Sequence, residues 1–146
     1  MADTTGTSAA QDVAASKAIV NMLSPTWLQK LGLRDELERI CMRNLLASSE
    51  ERIFFKDRES RFLFVSAGWL AAYQPGRALE DVIGKTDSDI FTHDHASQAF
   101  EDEQRIIRTG TPAVAKVERE TFHDRPDAWM STTKEALSDE AGKIIG

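Results

Sequence analysis

The chain has 146 residues, of which 29% are charged, and a formal net charge of −6 at pH 7. This length is sufficient for one domain with a hydrophobic core. An acidic balance argues against a nucleic-acid partner and against docking on an anionic membrane, because both require a basic face. No apolar run reaches the roughly 18 residues that a membrane-spanning helix needs.

Targeting and redox features of the sequence point to the cytoplasm. Residues 1–5 have neither the basic nor the apolar region of a signal peptide. The single cysteine, Cys41, excludes an intrachain disulfide and is typical of a reducing compartment. We therefore expect a soluble cytoplasmic protein, or a cytoplasmic piece of a larger one.

The first third of the chain predicts a tail and a helical extension. Residues 1–10 are small and polar and predict a disordered tail, and residues 11–50 predict the extension. Ser24 and Pro25 form a helix start signal inside it. Further on, apolar residues recur at helical spacing. This stripe either packs on its own domain or pairs with a second subunit, and we expect a dimer interface. Its members are Leu33, Leu37, Ile40, Cys41 and Leu45.

From residue 51 onwards the pattern becomes that of a mixed α and β domain. Residues 53–55 and 62–65 are rich in aromatic and branched side chains and predict a β-hairpin. Short helices are predicted over 66–73 and 79–82, and a one-turn helix is predicted to carry Ile90. These elements lie between the hairpin and the longest helix of the domain.

The second half of this domain predicts one long helix and a set of strands. The helix is predicted over residues 94–109, with Gly110 at the C-cap position and Phe100 on the inner face. Strands are predicted over 112–121 and 128–137, and a further strand begins at Lys143.

Four segments together resemble the PAS family of sensor modules. They are FFKD at 54–57, VIGKTD at 82–87, EQRIIRTG at 103–110 and WMSTTK at 129–134. The resemblance assigns residues 51–146 to a PAS sensor domain. It implies an α+β fold, a five-stranded antiparallel sheet with short helices on one face. In that fold the last strand lies centrally beside the first, so this chain would hold only its opening residues.

The resemblance also implies a role in bacterial signal transduction. PAS modules of this kind precede output domains such as those of two-component and cyclic-di-GMP signalling, so we expect an output domain C-terminal to the chain. A ligand, redox state or partner would change the packing of helices on the sheet, and the output domain would respond. The alternative is a ligand-free PAS domain that serves dimerisation or protein docking.

A ligand chamber between sheet and helices follows from the same resemblance. Strand alternation separates two sets of side chains on each strand. The family pattern implies that Ala115, Val117 and Arg119 face inward, as do Met130, Thr132 and Lys134 on the next strand. An inward Arg119 or Lys134 needs an anionic partner, either a carboxylate ligand or an internal acid such as Asp87 or Asp89. A filled core without a cavity is the alternative. The expected lining is Phe55, Phe91, Phe100, Ile107, Val117, Arg119, Met130 and Thr132.

Cofactor and catalytic chemistry are disfavoured by the residues present, and the ligand stays unidentified. Haem-binding relatives ligate iron with a histidine that would fall near Ala99, and a covalent flavin adduct needs a cysteine that Cys41, upstream of the domain, does not supply. His93 and His95 are too few for a structural metal site. Neither a catalytic triad order nor a phosphate-binding loop occurs. We therefore expect no metal and no enzymatic activity.

Overall fold

The computed structural model describes residues 34–146. These form one helix, α1, and a mixed domain with two further α-helices, two single-turn 3-10 helices and four strands. The tail, the first helical segment, the start signal at Ser24 and Pro25, and Leu33 lie outside the described residues. In chain order the elements are α1 (Arg34–Ser48), β1 (Phe54–Lys56), β2 (Phe62–Val65), α2 (Ala67–Tyr73), the 3-10 turns Leu79–Asp81 and Asp87–Asp89, α3 (His93–Thr109), β3 (Ala113–Glu120) and β4 (Ala128–Lys134).

Most of α1 is exposed. Its residues up to Asn44 belong to one compact unit, and Leu45–Gly146 form a second. Leu37 and Ile40 are each 44% exposed, whereas Leu46 is buried. The dimer interface predicted for this helix stays a prediction. Within residues 34–146, no helix is both long and apolar enough to cross a membrane.

The predicted hairpin is formed by β1 and β2. The two strands pair antiparallel, with Phe55 opposite Phe64. The turn is stabilised by Asp57, whose carboxylate accepts the backbone N–H groups of Glu59 at 3.0 Å and Arg61 at 2.9 Å. Partial burial would raise the pKa of Asp57, but these hydrogen bonds and the guanidinium of Arg61 outweigh it and lower the pKa.

The apolar core is built around α2. Ser66 is the N-cap of this helix, and its hydroxyl accepts the N–H of Trp69 at 3.1 Å. Trp69 then packs on Phe62 and Tyr73, with both pairs of ring centroids 5.0 Å apart. Burial of each large side chain of this kind contributes about 2 kcal/mol. The buried cluster consists of Phe62, Val65, Trp69, Tyr73, Val82 and Phe91.

The long helix α3 has the extent that the sequence predicts. It ends at Gly110, which adopts the left-handed conformation with φ 68° and donates its N–H to the carbonyl of Ile106 at 2.7 Å. Its inner face carries His95, Ala96, Ala99, Glu103 and Ile106. The inward placement predicted for Phe100 is wrong, because this side chain is 50% exposed.

One extra residue in β3 determines which side chains of that strand face inward. Ala113 lies opposite Lys134, but Lys116 lies opposite Thr132, so three steps along β3 match two along β4. This is a β-bulge, and Ala115 within it has a φ of 50°. Beyond the bulge, each side chain lies on the face opposite to the one that it would occupy in a regular strand. Lys116, Glu118 and Glu120 therefore face inward.

The predicted inward orientation of Val117 and Arg119 is wrong for this reason. Val117 is 65% exposed. Arg119 is also exposed, and its guanidinium pairs with Asp127 instead of an internal acid. Ala115, predicted inward with them, is exposed as well. On β4 the predicted orientation holds, with Met130, Thr132 and Lys134 on the partly buried face.

The strands form two separate antiparallel pairs, β1–β2 and β3–β4. After β4 the chain turns back, and the N–H of Leu137 donates to the carbonyl of Gly146 at 3.0 Å. Gly146 lies directly against the backbone of Lys56 on β1, so closely that a Cβ would not fit. The last described residues therefore reach the edge of β1, as expected for the start of a strand beside the first. The predicted α+β class is confirmed.

Candidate functional site

A cavity of about 500 Å³ lies between the helices and the inner face of β3 and β4. It lies wholly within the second unit of the chain, and its volume falls in the range of about 300–1,000 Å³ typical of small-molecule sites. Two kinds of side chain form the wall, aromatic and charged.

The aromatic wall is part of the apolar core. Phe62, Trp69, Tyr73 and Phe91 all line the cavity. His95 extends this wall, with its ring centroid 4.7 Å from that of Phe91. These rings come from β2, α2, α3 and the residue Phe91 before α3, and all of them are buried. The wall is therefore formed before any ligand enters.

The first charged group on the wall is Lys56 at the end of β1. Its ammonium donates to the carboxylate of Asp87 and to Glu103 Oε1, the latter at 2.7 Å. It also lies 4.5 Å from the centroid of the Phe62 ring, a cation–π contact. Lys56 is only 8% exposed. This lysine thus joins β1, a 3-10 turn and α3 through buried ion pairs.

The second charged group is Lys134 on β4. Its Nζ lies 3.8 Å from Glu103 Oε1 and 3.7 Å from Glu118 Oε2. Glu118 is also 3.4 Å from the Nζ of Lys116. The other oxygen of Glu103, Oε2, is buried and has no hydrogen-bond partner among the described residues. Burial has removed water from this oxygen, and no hydrogen bond within the described residues replaces it.

The third group is formed by Glu120, Tyr73 and Arg52. The Tyr73 hydroxyl donates to Glu120 Oε1 at 2.7 Å and accepts from Arg52 Nη1 at 3.2 Å. Burial raises the pKa of Glu120, and the hydrogen bond from Tyr73 only partly opposes this. Burial and the nearby Glu120 also raise the pKa of Tyr73 well above its usual range, so Tyr73 remains a donor.

Of the pocket residues predicted from the sequence, Phe91, Met130 and Thr132 line this cavity. Phe55 and Ile107 line a different groove, which runs between β1 and the segment after β4. Phe100, Val117 and Arg119 do not line the cavity. The predicted lining did not include Lys56, Glu103, Glu118 and Glu120, and it omitted Lys134 although that side chain was predicted to face inward.

The structure brings no metal site together among residues 34–146. Within that range there is no group of three or more histidine, cysteine or acidic side chains arranged to hold an ion. His95 is buried against Phe91, and its Nδ1 lies 3.4 Å from the carbonyl of Arg119. His93 is exposed and faces Ser97. The two histidines thus have separate surroundings.

The fold and the cavity agree with a family assignment. A family model described as PAS fold matches residues 46–146, more than two thirds of the chain. The chain therefore belongs to the PAS family, as its four segments predicted. PAS domains are sensor modules that bind small ligands. No curated protein matches the chain.

Solved structures share this fold, and two of them are described with a bound ligand. The structure "VqmA bound to DPO" is 26% identical over 75% of this chain and 53% of that chain, with a TM-score of 0.59. A Vibrio VqmA–ligand–DNA complex is also 26% identical, over 75% of this chain and 47% of that one, with a TM-score of 0.60. A PAS domain from Colwellia psychrerythraea, at 12% identity, covers 72% and 86% with a TM-score of 0.58.

These comparisons correct the expectation that nucleic acid has no part in the function. VqmA of Vibrio cholerae is described as a dimer and as a DNA-binding LuxR-type receptor. This chain spans about half the length of the VqmA chains that it matches. The charge of one sensor module therefore says nothing about the partners of a longer protein, and the exclusion of nucleic acid from net charge was wrong.

Proposed function

We propose that this chain is the sensor region of a bacterial cytoplasmic signalling protein. It binds a small organic ligand in the 500 Å³ cavity and is regulatory, not catalytic. Ligand binding alters how α3 and the 3-10 turn Asp87–Asp89 pack on the strands, and an output domain responds. The VqmA structures favour a DNA-binding output domain over the kinase or cyclic-di-GMP enzymes expected from the resemblance.

The observation that carries this proposal is the cavity with its preformed wall. Its aromatic side chains are fixed by the core, and its charged side chains come from β1, α3, β3 and β4. Lys56 connects three of the elements that would have to move together. A ligand that replaces or adds to one of these ion pairs changes the relative stability of two packing arrangements, which is the requirement for a population shift.

The proposal is tested by filling the cavity. Thr132 is half-buried on the inner face of β4, and Thr132→Phe places a ring in the cavity. Val117→Phe on the exposed face of β3 is the matched control. Native mass spectrometry of the protein purified from its host, together with thermal shifts against a metabolite library, should find a ligand for the wild type and the control but not for Thr132→Phe. Equal binding by both variants would exclude this cavity as the site.

A second candidate function, docking without a ligand, has one observation in its favour. The outer face of β3 and β4 exposes Val114, Val117 and Trp129, with Trp129 70% exposed. Apolar residues grouped on a surface mark interaction sites, and VqmA is described as a dimer. In this case the partner that binds the outer face of β3 and β4 is a second copy of the chain. Sedimentation of Trp129→Glu decides it, because a dimer formed through this face becomes a monomer, whereas an unchanged mass excludes the face.

A further inference from the structure

The wall of the cavity carries more acids than bases. Six acidic residues line it, against the three cations Arg52, Lys56 and Lys134. Four of the six acids are less than a tenth exposed. An ionised group removed from water needs a partner of opposite charge or a set of hydrogen-bond donors. The six acids are Glu50, Glu51, Asp87, Glu103, Glu118 and Glu120.

Both buried lysines are already paired with these acids. The ammonium of Lys56 bonds to Asp87 and Glu103. Lys134 is shared between Glu103 and Glu118 at 3.8 and 3.7 Å. An anionic ligand would have to compete with carboxylates that are held in place by the protein. The lysines therefore do not make the cavity an anion site.

Two of the acids retain unused capacity to accept hydrogen bonds. Glu103 Oε2 is buried and has no hydrogen-bond partner in the described part of the chain. Glu120 accepts the hydroxyl of Tyr73, a neutral donor, at 2.7 and 3.0 Å. Since a carboxylate has about four lone-pair positions, one hydroxyl leaves most of them open. Both side chains line the same cavity.

The uncharged part of the wall suits the body of such a ligand. Phe62, Tyr73 and Phe91 contribute aromatic rings to the cavity. The faces of such rings attract cations, and flat apolar groups pack against them. Together these groups form a receptor for a positively charged organic group. The unused carboxylate oxygens replace the hydrogen bonds that the cation made to water, and the aromatic rings pack against its apolar body.

We propose that the cavity binds a small organic cation, an ammonium or amidinium group on a flat apolar body. Its N–H groups take up the free acceptor positions of Glu120, and those of Glu103 once that side chain turns its buried Oε2 towards the cavity. This inference rests on the proposed sensor function and names the ligand class for the same cavity. It differs from the carboxylate ligand that an inward Arg119 would have required, because Arg119 is outside and acids are inside.

The test compares three probes of one shape and different charge. Benzamidine is a cation at pH 7, benzamide is its neutral counterpart and benzoate is an anion. Isothermal titration calorimetry with the 146-residue chain should show benzamidine binding at least tenfold more tightly than benzamide, which corresponds to about 1.4 kcal/mol. Benzoate should not bind measurably. Equal or tighter binding of benzamide or benzoate overturns the cation proposal.

Variants locate the cation in the cavity. Glu120→Gln preserves the shape of the side chain and should weaken benzamidine about tenfold, while leaving benzamide unchanged. Glu103→Gln should independently weaken the binding of benzamidine in the same way. Glu140→Gln, in the exposed turn after β4, is the matched control and should bind as the wild type does. Circular dichroism establishes that each variant is folded. Full benzamidine affinity in both cavity variants overturns the proposal.

The outcomes separate this inference from the sensor function on which it rests. If a metabolite binds the wild type but not Thr132→Phe, and benzamidine does not bind, the sensor function stands and the cation class is wrong. If the cavity-filling variant has no effect on any ligand, the sensor site itself is wrong. Charge-selective binding that is lost in Glu120→Gln supports both.

Discussion

The interior of the domain has two halves that are stabilised in different ways. The aromatic half consists of Phe62, Val65, Trp69, Tyr73, Val82 and Phe91, which pack through apolar area and ring contacts. The charged half consists of Lys56, Asp87, Glu103, Glu118 and Lys134, which are held by ion pairs, and Glu120, which is held by a hydrogen bond from Tyr73. Burial of apolar area lowers the free energy of the folded state by itself. Burial of charge comes close to zero net free energy only when every charged group is paired. The aromatic half therefore maintains the fold, whereas the charged half is the part of the cavity to which the proposal above assigns the choice of ligand.

The largest effect is expected in the aromatic half. Trp69→Ala should lower the free energy of unfolding by about 4 kcal/mol, because it leaves a large cavity beside Phe62 and Tyr73. Urea denaturation followed by circular dichroism measures this. The control is Trp129→Ala, whose exposed ring should change stability by no more than about 0.5 kcal/mol. Equal effects of the two substitutions would remove the distinction between core and surface on which the comparison rests.

Breaking the charged half should cost somewhat less. Lys56→Met is expected to lower the free energy of unfolding by about 3 kcal/mol, because Asp87 and Glu103 remain buried without their ammonium. Adding Asp87→Asn should recover part of that loss, since one unpaired charge is then removed. A double-mutant cycle in urea gives the coupling energy. A neutral or stabilising Lys56→Met would show that the network only positions groups and adds nothing to stability.

A gain in stability is expected when Glu120, which has no ion-pair partner among residues 34–146, is replaced by a neutral residue. Burial raises the pKa of Glu120 above the usual 4.5, so the folded state holds the proton more tightly than the unfolded state. Stability from this group is thus present below pH 4.5 and is lost as the pH rises through the raised pKa. Glu120→Gln should stabilise the protein by about 1 kcal/mol at pH 7.

The thermal midpoints of the Glu120→Gln variant and the wild type, measured at pH 4 and pH 7, test this expectation. The variant should have the higher midpoint at pH 7, and the difference should shrink at pH 4, where Glu120 is protonated in both states. A difference that is independent of pH would mean that the charge of Glu120 carries no cost. The same variant weakens cation binding under the inference above, so stability and affinity should change in opposite directions.

The smallest effect is expected at the edge of the charged half, where Lys116 pairs with Asp102. Burial alone would raise the pKa of Asp102, but the hydrogen bond and charge of Lys116 outweigh it and lower the pKa below 3.8. This contribution is therefore present above pH 3.8 and is lost as the pH falls through the lowered value. Asp102→Asn should cost about 0.5 kcal/mol at pH 7, and less in 1 M salt. Chemical denaturation at two salt concentrations measures it, and a cost of several kcal/mol would contradict a partly exposed pair.

The sequence predicted the helices around the aromatic half, because their signals are local. The short helix over residues 66–73, the long helix over 94–109 and the glycine at 110 all depend on neighbouring residues. The face of β3 could not be predicted in this way. A bulge changes the face of every later residue, and here its positive-φ position is Ala115, not the glycine that would have signalled it.

The charged half was also missed because pairing over long range leaves no local pattern. Lys56 meets Asp87 and Glu103, which lie 31 and 47 residues further along the chain. In the sequence, such residues are typical of solvated faces. Only the three-dimensional arrangement reveals that their charges share one interior, and that the acids outnumber the bases.

The bulge in β3 makes the chemistry of the chamber depend on strand register. If the same residues paired without a bulge, Val117 and Arg119 would lie on the inner face, and Glu118 and Glu120 would turn to solvent. Deletion of the extra residue, in contrast, would straighten the strand and leave the acids inside, because the residues on either side already share the faces of a regular ladder. The charge that a ligand meets is thus decided by one irregular step of the backbone as well as by the identity of the side chains.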